Sequence, residues 1–318
     1  MARLAKLRFL FASDFHGNET VWRKFLNSAG IFKVDALIMG GDMTGKLLCP
    51  IIKREDGLYE SFFLRENHVI TEEQLPQFKR KVVDQSYIPY CCTREEYEQL
   101  NQGQEIVEKV FEKLESEVVR EWCDLIPQKV PENVKVVVHP GNDDKFAIDE
   151  VLRNHPSVIF AEEDVVSFDG EHEAACVGWS NRTPWDSPRE CSEEELRNKL
   201  DRTILKLTNL ETSLFCFHVP PRDSVIDKAA KLDEQLRPVY EGGRPIMIPV
   251  GSVSVRRAIE KYQPLLGLHG HIHESPGIYK IGRTQCLNPG SEYSEGILKA
   301  YLVELDGKKI IRLQRLEG

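Results

Sequence analysis

Residues Gly267 to Ser275 read GLHGHIHES, with three histidines, His269, His271 and His273, at alternate positions behind an apolar run. Imidazole at this density suits a metal site, a proton relay, or a strand end that happens to be rich in histidine. Four other short stretches share the design, an apolar segment that stops and a metal- or phosphate-binding side chain that follows at once. They are FASDFHG with Asp14 and His16, IMGGDMTG with Asp42, VVHPGNDD with Asn142, Asp143 and Asp144, and FCFHVP with His218. Aspartate mixed with imidazole suits manganese, iron, zinc, cobalt or nickel, whereas calcium and magnesium sites are usually all oxygen. If Asp14-x-His16 and His271-x-His273 are extended, alternate residues project to one side and each segment delivers two ligands. Asp14, His16, Asp42, Asn142, His218, His271 and His273 are more donors than one tetrahedral ion takes. Two ions sharing one bridging carboxylate would fit them.

Such residues can meet only if the strands that carry them end on one edge. The opening predicts this: a strand over Leu7 to Ser13, a helix from Asn18 to Gly30 with an Asn cap and a Gly stop, and a strand over Val34 to Asp42. That is a βαβ unit, and in α/β sheets the loops leaving the carboxyl ends of strands converge on one crevice. From about Gly45 to Gln102 the pattern changes to a hairpin around Asp56-Gly57 and a Pro- and Tyr-bearing stretch, read as an insertion. A long amphipathic helix from Gly103 to Ile126 follows, and the alternation resumes at Val134. Asp144 is expected to cap the helix that follows it. The tail is expected to be an antiparallel meander. One α/β domain spanning 1–318, with the 45–102 insertion, fits better than two domains.

The chain has 318 residues, 41% hydrophobic and 29% charged, enough for a sizeable core, and a formal net charge of −9. That charge disfavours nucleic acid and anionic lipid as partners, and positive charge for a phosphorylated substrate would have to come from bound cations. Eight cysteines without a C-x-x-C pattern suggest buried thiols in a reducing cytoplasm. The N-terminal segment is too briefly apolar for a signal peptide, and no run is long enough for a membrane helix.

The ordered set Asp14-x-His16, Gly41-Asp42, Gly141-Asn142-Asp143-Asp144, His218 and Gly270-His271-x-His273 resembles the calcineurin-like metallophosphoesterases. The resemblance runs from about Leu7 to Val303 and covers the insertion least. It rests on the order of five motifs, each weak alone. It implies a four-layer α/β/β/α sandwich of two mixed sheets flanked by helices, with a dinuclear site at one edge. By position, Asp14, His16, Asp42 and His273 would hold one metal, and Asp42, Asn142, His218 and His271 the other, with manganese the first choice for activity. The implied chemistry is hydrolysis of phosphate esters by a hydroxide held on the two ions.

Asp143 departs from the pattern. Many members of that family have a histidine there, which contacts phosphate or protonates the leaving oxygen. An ionised carboxylate would repel phosphate, so Asp143 is expected to be neutral through a raised pKa, to point away, or to touch a metal. His269 or His139 would then be left to serve the leaving group. Asn142, Asp143 and His269 are thus the candidate catalytic residues. Asn181 and Arg182, in the loop GWSNRTPWDSPRE, are candidates for gripping substrate, against a plain surface loop with Trp185 plugging the core. The leading expectation is a phosphodiesterase acting on a small substrate; the alternatives are a metal-binding interaction scaffold without turnover, a phosphomonoesterase or a protein phosphatase. The insertion is expected either to cap the crevice or to form an oligomer interface.

Overall fold

The strand β1 (Lys6–Ala12) alternates between two buried faces: Phe9 and Phe11 enter one apolar cluster, Leu10 and Ala12 another. A strand buried on both sides belongs inside a layered structure. The computed structural model describes residues 6–318, so Met1 to Ala5 of the opening segment lie outside the described residues. Helix α1 (Glu19–Phe32) returns the chain to β2 (Ala36–Gly40), parallel to β1. Asn18 caps it through Oδ1, 3.0 Å from the Val21 amide. The expected stop at Gly30 is passed over. The helix runs on to Phe32, which packs against the core, and ends at Lys33 in the left-handed region.

A separate four-stranded sheet follows, from β3 (Leu47–Lys53), β4 (Tyr59–Phe63), β5 (Glu66–Ile70) and, after helix α2 (Leu75–Asp84), β6 (Tyr87–Cys92). Its order is β5-β4-β3-β6, and it has a small core of its own around Ile51, Phe63, Phe78 and Val82. Helices α3 (Arg94–Leu100), α4 (Gln104–Asp124) and α5 (Ile126–Lys129) lead to β7 (Lys135–His139); α6 (Ala147–Asn154) leads to β8 (Ile159–Phe160). Then come β9 (Asp164–Ser167), β10 (Glu173–Val177), the short β11 (Ser180–Asn181) and β12 (Glu190–Cys191), α7 (Glu193–Ile204) and β13 (Leu214–Phe217). An excursion of short strands, β14 (Lys228–Ala230), β15 (Tyr240–Glu241), β16 (Arg244–Pro245) and β17 (Met247–Pro249), precedes α8 (Val253–Tyr262) and β18 (Leu266–Leu268). The tail is β19 (Gly277–Ile281), β20 (Thr284–Asn288), a 3-10 turn at Tyr293–Glu295, β21 (Lys299–Asp306) and β22 (Lys309–Glu317).

Two six-stranded mixed sheets organise these elements, β22-β21-β1-β2-β7-β8 and β19-β20-β18-β13-β10-β9. In the first, β1, β2, β7 and β8 run parallel and β21 and β22 pair antiparallel. In the second, β10, β13, β18 and β20 run parallel and the edge strands β9 and β19 are antiparallel, so the expected antiparallel meander of the tail is broken at β20, which joins β18 in parallel. One cluster joins Phe9, Phe11, Ile38 and Val137 of the first sheet to Cys176, Cys216, Leu266 and Leu268 of the second. A second lies between the first sheet and residues such as Trp22, Phe25, Trp122 and Leu152. A third lies between the second sheet and Leu196, Leu200, Val255 and Ile259. The carboxyl ends of β1, β2, β7, β13 and β18 lead directly into the motif loops.

All eight cysteines are free thiols, and only Cys91 is exposed. No helix among the described residues is long and apolar enough to cross a membrane. His172 is buried, with Nδ1 2.7 Å from Asp169 Oδ2 and Nε2 2.9 Å from the Gly307 carbonyl.

Candidate metal centre

Three of the five motif loops turn sharply as they leave their strands. Asp14, His16, Asp42 and His271 all have positive φ, at 62°, 45°, 54° and 67°. This left-handed conformation costs an L-residue roughly 1–2 kcal/mol, a strain typical of functional sites. It also replaces the extended geometry expected of Asp14-x-His16 and His271-x-His273. Because His271 is turned, its ring and that of His273 diverge into different clusters. The loops pack as closely as backbone allows. A Cβ on Gly41 would fall 2.7 Å from Gly141 Cα, and one on Gly270 would fall 2.3 Å from Asp14 Oδ2.

The seven candidate ligands come together. Asp14, His16 and His273 form one group of convergent donor atoms, and Asp42, His218 and His271 a second. His16 Nε2 lies 3.0 Å from His273 Nε2, and His273 Nε2 lies 3.3 Å from Asp14 Oδ1. Asp42 Oδ2 stands between the groups, 3.7 Å from His16 Nε2 and 3.3 Å from His218 Nε2. Asn142 Oδ1 is 3.1 Å from His218 Nε2. The Nδ1 of His218 is 2.8 Å from the Gly40 carbonyl, which fixes Nδ1 as the protonated nitrogen and aims the Nε2 lone pair at Asp42 and Asn142. An Nε2 facing two oxygen acceptors calls for a proton or a metal cation between them.

The electrostatics make the same demand. Burial opposes protonation of His218, but Asp42 and Asp14 outweigh it and push the group up to about 10. Burial pushes the Asp42 carboxyl up to about 6, with Asp143 and Asp14 adding to the effect. Burial also disfavours ionised Asp14, yet His273, His218 and His16 hold it well below the usual carboxylate range. Burial, together with His218, drives His271 down to about 3. Carboxylates and imidazoles packed this tightly out of water fit metal cations, which could take the place of the proton that His218 otherwise holds.

Asp143 is not a neutral acid. Burial resists its ionisation, but Lys46 and His16 hold its pKa well below the usual range. Lys46 Nζ sits 2.8 Å from Asp143 Oδ2, while Oδ1 accepts from Ser187 Oγ at 2.6 Å and Asn142 Nδ2 at 2.8 Å. Burial lowers the Lys46 pKa and Asp143 and Asp42 raise it, for a net rise that keeps the ammonium charged. Asp144, expected as a helix cap, instead ties two motif loops together. It accepts from the amides of Gly141, Met43 and Thr44 and from Thr44 Oγ1 at 2.8 to 3.1 Å. With that carboxylate spent, α6 begins after Phe146, an N-cap that offers no side-chain hydrogen bond.

His269 does not reach the site. It is fully buried, its Nδ1 is 2.8 Å from the Phe217 carbonyl, its Nε2 faces Gly267, and burial pushes it down to about 4. His139 is equally enclosed, against the Pro140 carbonyl and Cys216 Sγ. Neither is placed to protonate a leaving group.

A groove of about 680 Å³ opens on the centre, with Asp42, Asn142, Asp143, His271 and His273 at its polar end. Asn181 and Arg182 line it. Asn181 Nδ2 contacts the Val250 carbonyl at 3.3 Å, and Arg182 is exposed beside Asp186. Trp185, 61% exposed, forms part of the wall and plugs no core. Ala229, Leu232, Ile248 and Pro249 make the wall apolar, while Arg222 and Lys231 add positive charge. Sequence reasoning missed Lys46, Ser187 and Tyr293, whose ring lies 4.7 Å from that of His16 and 5.6 Å from that of His273. Only Lys46, close behind Gly41-Asp42, offered a signal: a basic residue in a loop already marked as part of a site.

No known family profile matches the chain. An uncharacterized protein of Methanocaldococcus jannaschii is 28% identical over 249 residues, which cover 77% of this chain and 93% of that protein. One solved structure aligns with a TM-score of 0.57 and 16% identity, over 98% of this chain and 99% of that one. The structure of TT1561 of Thermus thermophilus aligns with a TM-score of 0.52 and 15% identity, again over 98% and 99%. At such identities, the likeness to the two solved structures establishes a shared mixed α/β fold.

Proposed function

We propose that the chain is a calcineurin-like metallophosphoesterase, a hydrolase of phosphate esters with a preference for diesters. The observation that carries the proposal is the pair of adjacent donor groups with the Asp42 carboxylate between them. In this reading Asp14, His16, Asp42 and His273 hold one ion, and Asp42, Asn142, His218 and His271 the other. The three apolar clusters support an α/β/β/α layering, and the β3–β6 sheet is an insertion in one domain spanning 1–318. Two such ions, manganese by preference, would supply Lewis-acid polarisation of the phosphoryl group and an activated water.

The chain's own residues bind and orient. The Gly40 carbonyl fixes the His218 tautomer, and Asp143 holds Asn142 through its Nδ2 so that Oδ1 faces inward. The Asp14 carboxylate accepts the His271 amide at 3.0 Å, which locks the turn carrying that ligand. Diesters are favoured for two reasons. The groove, about 680 Å³, is lined beyond the donor residues by Trp185 and Ile248 to Val250, a volume that could take a second ester arm. His269, His139 and ionised Asp143 offer no acid to an alkoxide, so a good leaving group or a proton from water is needed.

The test is metal analysis joined to turnover of a nitrophenyl diester and the matching monoester with added manganese. About two ions per chain are expected, with diester cleavage abolished in Asp42→Asn and His271→Ala. Metal near two per chain, with neither ester cleaved above those variants, would favour the interaction-scaffold reading. Metal well below one per chain after reconstitution would sink both.

A further inference from the structure

Four basic side chains line the groove: Lys46, Arg182, Arg222 and Lys231. Of these, only Lys46 is joined by an ion pair to a residue that itself touches the donor set. Its partner Asp143 has an amide donating to Asp42 Oδ1 at 2.9 Å, and an Oδ2 that lies 3.9 Å from His16 Nδ1. The lysine is fixed at its base, where its amide donates to the Ser86 carbonyl at 3.1 Å. A lone carboxylate at the polar end of an anion site would repel its ligand. Paired with Lys46, Asp143 presents no net charge. An ammonium has three donors, Asp143 takes one, and the side chain remains 40% exposed on the groove.

We propose that Lys46, aimed by Asp143, is the side chain that contacts the phosphoryl oxygen of the substrate. Asp143 is its positioning residue, and one carboxylate thereby serves two purposes. Oδ1 sets the Asn142 amide, and Oδ2 sets the cation. The proposal rests on the phosphoesterase reading above.

The experiment uses the full chain reconstituted with manganese. Bound metal, inorganic phosphate affinity by calorimetry, and kinetics on the two nitrophenyl esters are compared for the parent, Lys46→Met, Lys46→Gln, Lys46→Arg and Asp143→Asn. Removal of a charged donor to phosphate is expected to weaken phosphate binding about ten- to hundredfold while bound metal stays at the parent level. The loss in kcat/KM should be greater for the dianionic monoester than for the monoanionic diester. Arginine at 46 should recover part of it. Adding Asp143→Asn to Lys46→Met should cost phosphate affinity less than it does in the parent, because the two act as a unit. A metal-loaded Lys46→Met or Lys46→Gln that binds phosphate and cleaves both esters like an active parent overturns the assignment. So does a variant that loses metal, or an equal loss on both esters. A metal-loaded parent that neither binds phosphate nor cleaves either ester overturns the phosphoesterase reading, and this assignment with it.

Discussion

Asp14, Asp42 and His271 are held in left-handed turns by contacts to residues far away in sequence, such as the His271 amide on Asp14 and the Asp143 amide on Asp42. Gly270 permits this, because any side chain there meets Ser13 Oγ and Asp14 Oδ2. Gly270→Ala is therefore expected to lower bound metal, measured by elemental analysis, and to cut ester hydrolysis by at least about a hundredfold, an effect typical of sub-ångström displacement at a site. A second residue-scale prediction concerns Glu115, buried on α4, where neither carboxyl oxygen finds a hydrogen-bond donor among the described residues. Burial pushes it up to about 8 from an ordinary 4.5. Between those values the folded chain keeps a proton that the unfolded chain has released, so this group's contribution to stability falls as pH rises through that window. Glu115→Gln should flatten the fall, by on the order of a few kcal/mol at pH 9, in denaturant midpoints taken from pH 5 to 9. At this scale the sequence showed which side chains have metal-binding chemistry. It did not show their directions. His269 directly follows its strand with its ring turned into the space beside Gly267, whereas His271 sits in a left-handed turn held by Asp14. The value of Asp143 depends on Lys46 and Ser187, one on another loop and the other 44 residues away.

The elements that present these residues are stapled by buried polar groups. Arg189, 1% exposed, donates to the carbonyls of Asp144 and Lys145 and to Asp149, and its guanidinium stacks on Phe146. Its own amide donates to the Asn142 carbonyl at 3.1 Å. Arg189→Ala leaves Asp149 unpaired and strips the Asp144 carbonyl of its guanidinium donor, which should cost about 3–5 kcal/mol in denaturant unfolding. Lysine should recover little, since one ammonium cannot copy the planar fork. Apolar periodicity made the helices and the central strands legible, and Asn18, Ser192 and Ser252 all cap the helices they precede. Where a boundary moved, a tertiary contact outweighed a local preference, as when Phe32 drew α1 past Gly30. The short strands β14 to β17 had no periodic signal because they pair in twos over at most three residues.

For the whole molecule, a centre built of buried carboxylates is a source of strain until cations fill it. Stripping with a chelator should lower the thermal midpoint. Manganese at a hundredfold excess over its Kd should restore about 2.7 kcal/mol per site, and calorimetry should show a midpoint that rises with free metal. The Asp42→Asn variant should respond weakly to either treatment. The β3–β6 sheet has a bearing on this centre that its separate core conceals. Asp42 and Lys46 are four residues apart, yet Asp42 is fixed by the motif loops, whereas the Lys46 amide is tied to Ser86, just before the last strand of that sheet. The placement of the sheet therefore bears on where the base of one groove cation sits. Under the proposed function, lengthening or shortening the sheet's loops is expected to shift the ratio of kcat/KM between the two nitrophenyl esters while bound metal, by elemental analysis, stays at the parent level.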